Sequence, residues 1–178
     1  DDVLYVQDNP INTNINLYLL GYDSDRRMAV LNNTVKSNVK KFLNGYRMLT
    51  DRINILDAFV VNFGINYSIV VYEGFNSYDV IAKASDRLKS YFDSDNQQIN
   101  QPIIKADVLL EIARVEGVQS VTSLDLINLY RAKDGSDYSI YVYDMEQNKR
   151  NEVIYPSADP CLFELRYPQD DIIGTAIQ

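Results

Sequence analysis

Residues 57–73, DAFVVNFGINYSIVVYE, carry an apolar side chain at every second position from Phe59 to Val71. An extended strand points alternate side chains to one face, whereas a helix would scatter them around its circumference. The stretch therefore predicts a long β-strand with one unbroken apolar face. That face consists of Phe59, Val61, Phe63, Ile65, Tyr67, Ile69 and Val71.

The other face of this strand changes along its length. It is apolar at Ala58 and Val60, polar from Asn62 to Ser68, and apolar again at Val70. We expect both ends to be covered on two faces, and the polar middle to lie open to water or to a neighbouring subunit. At roughly 3.3 Å per residue the stretch exceeds the usual strand length, so a bend or bulge is expected at Gly64.

The long strand joins two segments of similar pattern, each a strand followed by an amphipathic helix. The first has an alternating strand over 14–22 and a helix with Asn33 or Thr34 as N-cap and a stop signal at 44–45. In the second, Ser77 is predicted to cap the helix. The apolar stripes are Val35, Val39, Phe42, Leu43 and Tyr46 in the first helix, and Ile81, Ala84, Leu88, Tyr91 and Phe92 in the second.

A third helix is predicted to begin at Asn100 or Pro102 and to end at Gly117, with a strand over 118–129 behind it. The remaining residues alternate or form short apolar runs. These runs predict β-hairpins, with a turn signal at Asp134 and Gly135. They cover residues 138–142, 153–155 and 161–167.

Together these patterns predict an α+β fold. We expect a mixed sheet built from two similar strand and helix units with about three helices, plus a C-terminal β-hairpin region. Residues 1–130 are expected to form the repeated strand and helix domain, and residues 131–178 a β-rich subdomain packed on it. Because the chain starts without an initiator methionine, we expect a C-terminal fragment of a longer protein.

Composition narrows the range of partners. The formal net charge of −8 argues against binding to nucleic acid, which requires basic residues to neutralise phosphates. No apolar run approaches the roughly 20 residues that cross a bilayer, so no membrane partner is expected. We also expect no small-molecule substrate. The 14 tyrosines suit subunit interfaces, because tyrosine buries a large ring and keeps a hydroxyl for the rim.

No catalytic, cofactor-binding or metal-binding residue is predicted. The chain has no histidine, which is the commonest general base and metal ligand, and Cys161 therefore lacks the usual activating partner of a nucleophile. We interpret Cys161 as a half-buried strand residue. Residues from Asp93 onward do not form a calcium-binding loop. Such a loop needs glycine at its sixth position and glutamate at its twelfth, and here these positions are Gln98 and Ile104. Solvated turn residues explain the acidic pairs Asp23 with Asp25, Asp93 with Asp95, and Asp170 with Asp171.

Three segments resemble a known family. They are INILDAFVVNFGINYSIVVYEGFN at 53–76, NQQINQPIIKADVLLEIARVEGVQSV at 96–121 and FELRYPQDDIIG at 163–174. In these runs the chain resembles the baseplate J-like wedge proteins of contractile-tailed phages, and among them the large wedge subunit of T-even-type phages. The runs consist of structural residues without a catalytic signature.

The resemblance implies a virion structural protein in the tail baseplate, assembled in the host cytoplasm. Its expected partners are other copies of itself, in dimer or ring contacts, and other baseplate wedge proteins. The resemblance implies no enzyme activity and no cofactor, and it assigns no partner-binding residue. The family's subunits are also much longer than this chain.

Two other classes of function remain open from the residues alone. A carboxylate-dependent tail hydrolase of the glycoside hydrolase type requires two inward-facing carboxylates about 5–10 Å apart in a cleft. A receptor-binding or carbohydrate-binding module would need exposed aromatic platforms, and it ranks lower because the chain has no tryptophan.

Overall fold

The computed structural model describes residues 3–7, 14–46, 52–131, 137–157 and 160–177. In this part of the chain the fold is α+β, with three α-helices and mixed sheets, as the sequence predicts. The helices are α1 (Asn33–Asn44), α2 (Ser77–Tyr91) and α3 (Lys105–Ala113). The strands are β1 (Val3–Gln7), β2 (Asn14–Tyr22), β3 (Met28–Ala29), β4 (Arg52–Asp57), β5 (Phe59–Val71), β6 (Ile103–Ile104), β7 (Val118–Asn128), β8 (Lys149–Arg150), β9 (Val153–Ile154), β10 (Cys161–Glu164) and β11 (Ile172–Ile177).

The first sheet is centred on β2. Strand β1 pairs antiparallel along one edge of β2, while β4 pairs parallel and β3 antiparallel along the other. The segment β2–α1–β4 is thus a parallel strand–helix–strand unit, in which α1 packs on β4. The Lys36 ammonium lies 2.6 Å from the Asp57 carboxylate and ties α1 to the end of β4.

The chain changes sheets at Ala58. The Ala58 N–H donates to the Leu19 carbonyl in the first sheet, and the next N–H, that of Phe59, donates to the Pro160 carbonyl beside the second. The predicted long strand, residues 57–73, corresponds to β5, and the preceding strand, β4, belongs to the other sheet. The chain therefore passes from one sheet to the other at Ala58, just before the long strand begins.

The second sheet is centred on β5. Strand β7 pairs antiparallel along one edge, and β10 and β11 pair parallel along the other, one after the other. The predicted C-terminal strands are present, but β10, which lies in the predicted run 161–167, pairs with β5 and not in a hairpin. Strand β11 lies outside the predicted runs. A hairpin does form between β8 and β9, with β6 as its third strand. The domain division at about residue 130 stays a prediction.

The predicted apolar face of β5 is confirmed as the centre of the core. Phe63, Ile65 and Ile69 are fully buried there beneath α2 and α3. Helix α2 contributes Val80, Ala84 and Leu88, and α3 contributes Val108 and Ile112. The Phe63 ring meets Phe92 and Phe163 edge to face, at centroid distances of 5.1 and 6.4 Å.

The bend predicted at Gly64 is not found. The bulges lie instead on β7, the strand that pairs with β5. There β7 has one extra residue opposite Ile69 and another opposite Val71. Gly64 has a different role, since an added Cβ would lie 3.1 Å from the Asp171 carbonyl oxygen and 3.1 Å from Leu129 Cδ1. Glycine therefore permits close packing over the sheet at this point.

Several element ends differ from the predictions. The N-cap side chains are Asn32 for α1 and Asn76 for α2, each one residue or more before the predicted cap. Helix α3 begins at Lys105, because Ile103 and Ile104 form β6 instead. Residues 138–142 form no strand despite their alternation. The predicted turn at Asp134 and Gly135 lies outside the described residues.

The packing of α2 on β5 gives a direct test. We expect Leu88→Ala to lower the free energy of unfolding by about 3 kcal/mol, because Leu88 is fully buried and its loss leaves a cavity. Urea unfolding followed by circular dichroism measures this change. Leu110→Ala on the exposed side of α3 is the control and should cost less than about 1 kcal/mol. Equal effects of the two substitutions would contradict the packing described.

Candidate interaction surface

The two faces of the second sheet differ in what covers them. The inner face is covered by α2 and α3, and the outer face is formed by the residues that alternate with those of the inner face. The part of the outer face that begins at Asn66 of β5, with its neighbours on β7 and β11, is called the open half. Its residues are Asn66, Ser68 and Val70 on β5, Ser120, Ser123, Asp125 and Ile127 on β7, and Ile173, Thr175 and Ile177 on β11.

The first half of the outer face is covered by the first sheet. Val60 on β5 and Leu162 on β10 pack with Leu20 of β2 and Met28 of β3 in a second apolar cluster. The expectation of a polar middle open to water is therefore wrong for Asn62 and Gly64, which are both buried. The exposed stretch begins after them.

Asn62 and Glu164 form the polar centre of this covered half. The Asn62 amide donates to Glu164 Oε2 at 2.7 Å, and its carbonyl oxygen accepts the Ser139 N–H at 2.7 Å. Glu164 Oε1 accepts the Met28 N–H of the first sheet at 2.6 Å. The carboxylate of Glu164 thus links both sheets and satisfies groups that are removed from water.

Arg166 neutralises this buried carboxylate. Its Nη1 lies 3.2 Å from Glu164 Oε2 and also donates to the Met28 carbonyl at 3.3 Å. Its Nη2 lies 3.3 Å from the exposed Asp137 carboxylate. Burial acts to lower the pKa of the Arg166 guanidinium, but the charge of Glu164 and the hydrogen bond that Arg166 donates to it outweigh this effect, so the pKa is raised.

Asp171 is buried, which corrects its interpretation as a solvated turn residue. Its Oδ1 accepts the Tyr138 hydroxyl at 2.5 Å, and its Oδ2 accepts the Tyr167 N–H at 2.7 Å. Burial raises the pKa of Asp171, although both hydrogen bonds act in the opposite direction. Burial and the Asp171 hydrogen bond also raise the pKa of Tyr138. This cluster holds residues 138–139 against the end of the sheet.

The open half has the composition of an interface. Ile173 is 54% exposed, Ile177 47% and Ile127 40%, and the hydroxyls of Ser68 and Thr175 hydrogen-bond to each other at 2.7 Å. Asp125 is its single charged residue. A solvent-facing sheet surface normally alternates with charged side chains, and depletion of charge marks the core of protein contacts.

A cleft of about 520 Å³ lies next to Glu164, between the turn that precedes β3 and residues 165–170. A hydrolase would need carboxylates in it that can exchange protons with a substrate. Both Glu164 oxygens are already held by three donors from the protein. Among the residues that the structure describes, no group of three or more carboxylates and cysteines is placed to hold a metal ion.

Cys161 and the acidic residues Asp23 and Asp95, which were considered as candidate site residues, have structural roles. Cys161 is fully buried in β10, more deeply than the half-buried position expected. Asp23 closes the turn before β3 by accepting the N–H groups of Asp25 and Arg27, and Asp95 pairs with Arg26 at 2.7 Å. Within the described ranges, no helix is long and apolar enough to cross a membrane.

No family model matches the chain, and no curated protein matches it. Among solved structures, a chain in "Cryo-EM structure of the anti-feeding prophage (AFP) baseplate, 6-fold symmetrised" is similar to the present chain. The similarity covers 93% of the residues of the present chain, with 12% sequence identity and a TM-score of 0.46. The present chain spans 29% of the length of that chain.

The role of Glu164 is testable by a change of one atom. We expect Glu164→Gln to lower the free energy of unfolding by about 3 kcal/mol, because an amide nitrogen would face the Asn62 amide and Arg166 would lose its buried counter-ion. Thermal and urea unfolding measure the change. Glu146→Gln removes the same charge at an exposed pair with Lys149 and should cost less than about 1 kcal/mol. A Glu164→Gln effect no larger than this control would refute the network.

Asp171 predicts a pH dependence. Since its pKa is raised in the folded state, Asp171 contributes most to stability below its unfolded pKa of about 3.9, and that contribution is lost as the pH rises through its folded pKa. We expect the stability of the wild-type protein relative to Asp171→Asn to decrease with rising pH across this interval. Urea unfolding of both proteins at a series of pH values measures the difference. A constant or increasing difference would show that the sign is wrong.

Proposed function

We propose that this chain is a structural subunit of the baseplate of a contractile tail, of the J-like wedge class and most similar to the large wedge subunit of T-even-type phages. In this role it lies in the tail baseplate of the virion and contacts copies of itself and other wedge proteins. The proposal rests on the sequence resemblance of residues 53–76, 96–121 and 163–174.

One structural observation supports an assembly role. The open half combines three exposed isoleucines with hydroxyl groups and a single charge, on a rigid sheet whose other face is fully packed. Such a surface fits a protein partner better than bulk water. Among the described residues, exposed tyrosines outside α2 add to the surface that can bind partners: Tyr46, Tyr72, Tyr130, Tyr141 and Tyr155.

The hydrogen bonds of the buried carboxylates also favour this function over a hydrolase. Glu164 and Asp171 each accept hydrogen bonds from backbone and side-chain donors that belong to the fold. Changing the protonation of Glu164 during a reaction would break the link between the two sheets.

Immuno-electron microscopy tests the proposed function. Contractile particles are purified from cells that encode the chain and are incubated with antibodies raised against it. We expect the label at the baseplate end of the tail, and antibody pre-absorbed with the purified chain serves as the control. Label along the sheath, or purified particles that lack the chain in an immunoblot, would contradict the proposal.

A further inference from the structure

A second unpartnered surface lies on α1. Although its sequence is amphipathic, this helix buries none of its residues completely, and Phe42 is 66% exposed. Tyr46, just beyond the helix, is 77% exposed, and its ring lies 5.1 Å from that of Phe42. We call these two rings with Lys41 the α1 patch. Two adjacent exposed rings form a large apolar area that a partner could bury.

The α1 patch is basic. Residues 33–46 contain Lys36, Lys40 and Lys41 and no acidic residue, within a chain whose formal charge is −8. Lys36 is engaged with Asp57 on the side of the helix that faces β4. Lys41 lies in the last turn, directly before Phe42.

The open half of the second sheet complements this patch. It offers apolar side chains of Ile127, Ile173 and Ile177 around one acidic residue, Asp125. The inner face of the same sheet already accepts helices, since α2 packs on β11 and α3 packs on β7. A helix with an aromatic pair and a lysine therefore matches the open half in apolar character and charge.

We propose that the α1 patch of one copy of this chain docks on the open half of the second sheet of another copy. This inference rests on the proposed function, because it specifies which surfaces meet when copies of the subunit contact each other. The contact is heterologous, with different surfaces on the two partners. Lys41 approaches Asp125, and Phe42 packs among the isoleucines.

Self-association of the purified chain tests the contact. A helix on half of one sheet face is a small interface, so we expect reversible association with a dissociation constant on the order of 10–100 µM in sedimentation-velocity experiments. Phe42→Ser and Ile173→Asn should each weaken it at least tenfold. Tyr78→Ser removes an aromatic side chain from α2 that is even more exposed than Phe42, and it is the matched control, with no expected change.

Mixing the two variants distinguishes this contact from symmetric alternatives. Phe42→Ser retains an intact sheet face and Ile173→Asn retains an intact α1 patch, so an equimolar mixture should form a 1:1 complex that native mass spectrometry identifies by the two masses. Lys41→Glu and Asp125→Lys should each weaken association, and a mixture of these two variants should restore it.

Three results would overturn the inference. They are a wild-type chain that stays monomeric up to about 1 mM, a Tyr78→Ser variant as defective as Phe42→Ser, and variant mixtures that fail to form a complex. Each of these leaves the labelling of the baseplate unaffected, and absent baseplate labelling leaves self-association measurable. The failure of one proposal is therefore distinguishable from the failure of the other.

Discussion

The fold depends on the burial of β5. This strand has neighbours on both edges, helices over its inner face and the first sheet over half of its outer face. Each of its backbone groups therefore needs a partner from the protein, and β7, β10 and β11 supply those partners. The other elements are arranged around this requirement. For this reason the C-terminal strands β10 and β11 lie beside residues 59–70, although they are far away in sequence.

The two strand and helix units illustrate how one local pattern gives two topologies. In the first, a single helix returns the chain to a parallel neighbour, as β2–α1–β4. In the second, α2 is followed by α3, and the chain returns antiparallel as β7. Ala58 separates the units, so each has its own mixed sheet. The sheets are joined by an apolar cluster around Leu20 and by the hydrogen bonds of Glu164.

Periodicity predicted the features that depend on neighbours along the chain. The inner face of β5 and the buried positions Ala84 and Leu88 in the stripe of α2 follow from local spacing. The pairing of β10 with β5 was not predictable, because it depends on residues a hundred positions apart. The burial of Asn62 was missed for the same reason. From the sequence alone a polar residue in a strand is predicted to be exposed, because the distant donors and acceptors that could pair with it in the core are not known.

The candidate surface was predicted in part. The sequence predicted that the polar middle of the outer face would lie open to water or to a neighbouring subunit, but in the structure the exposed stretch lies further along the strand, towards Ser68 and Val70. Glu164 had a recognisable signal, a single acid inside the apolar run CLFEL. Residues 138–142 alternate like a strand, yet they lie in irregular structure, where Ser139 donates to Asn62 and Tyr138 to Asp171.

Hydrogen exchange measured by mass spectrometry tests the central position of β5 most directly. If the fold depends on this strand, peptides covering residues 61–69 and 161–164 will be the last to exchange, at rates set by global unfolding. Peptides from β2 and β4 will exchange earlier. Exchange of the β5 peptides before those of the first sheet would contradict the account.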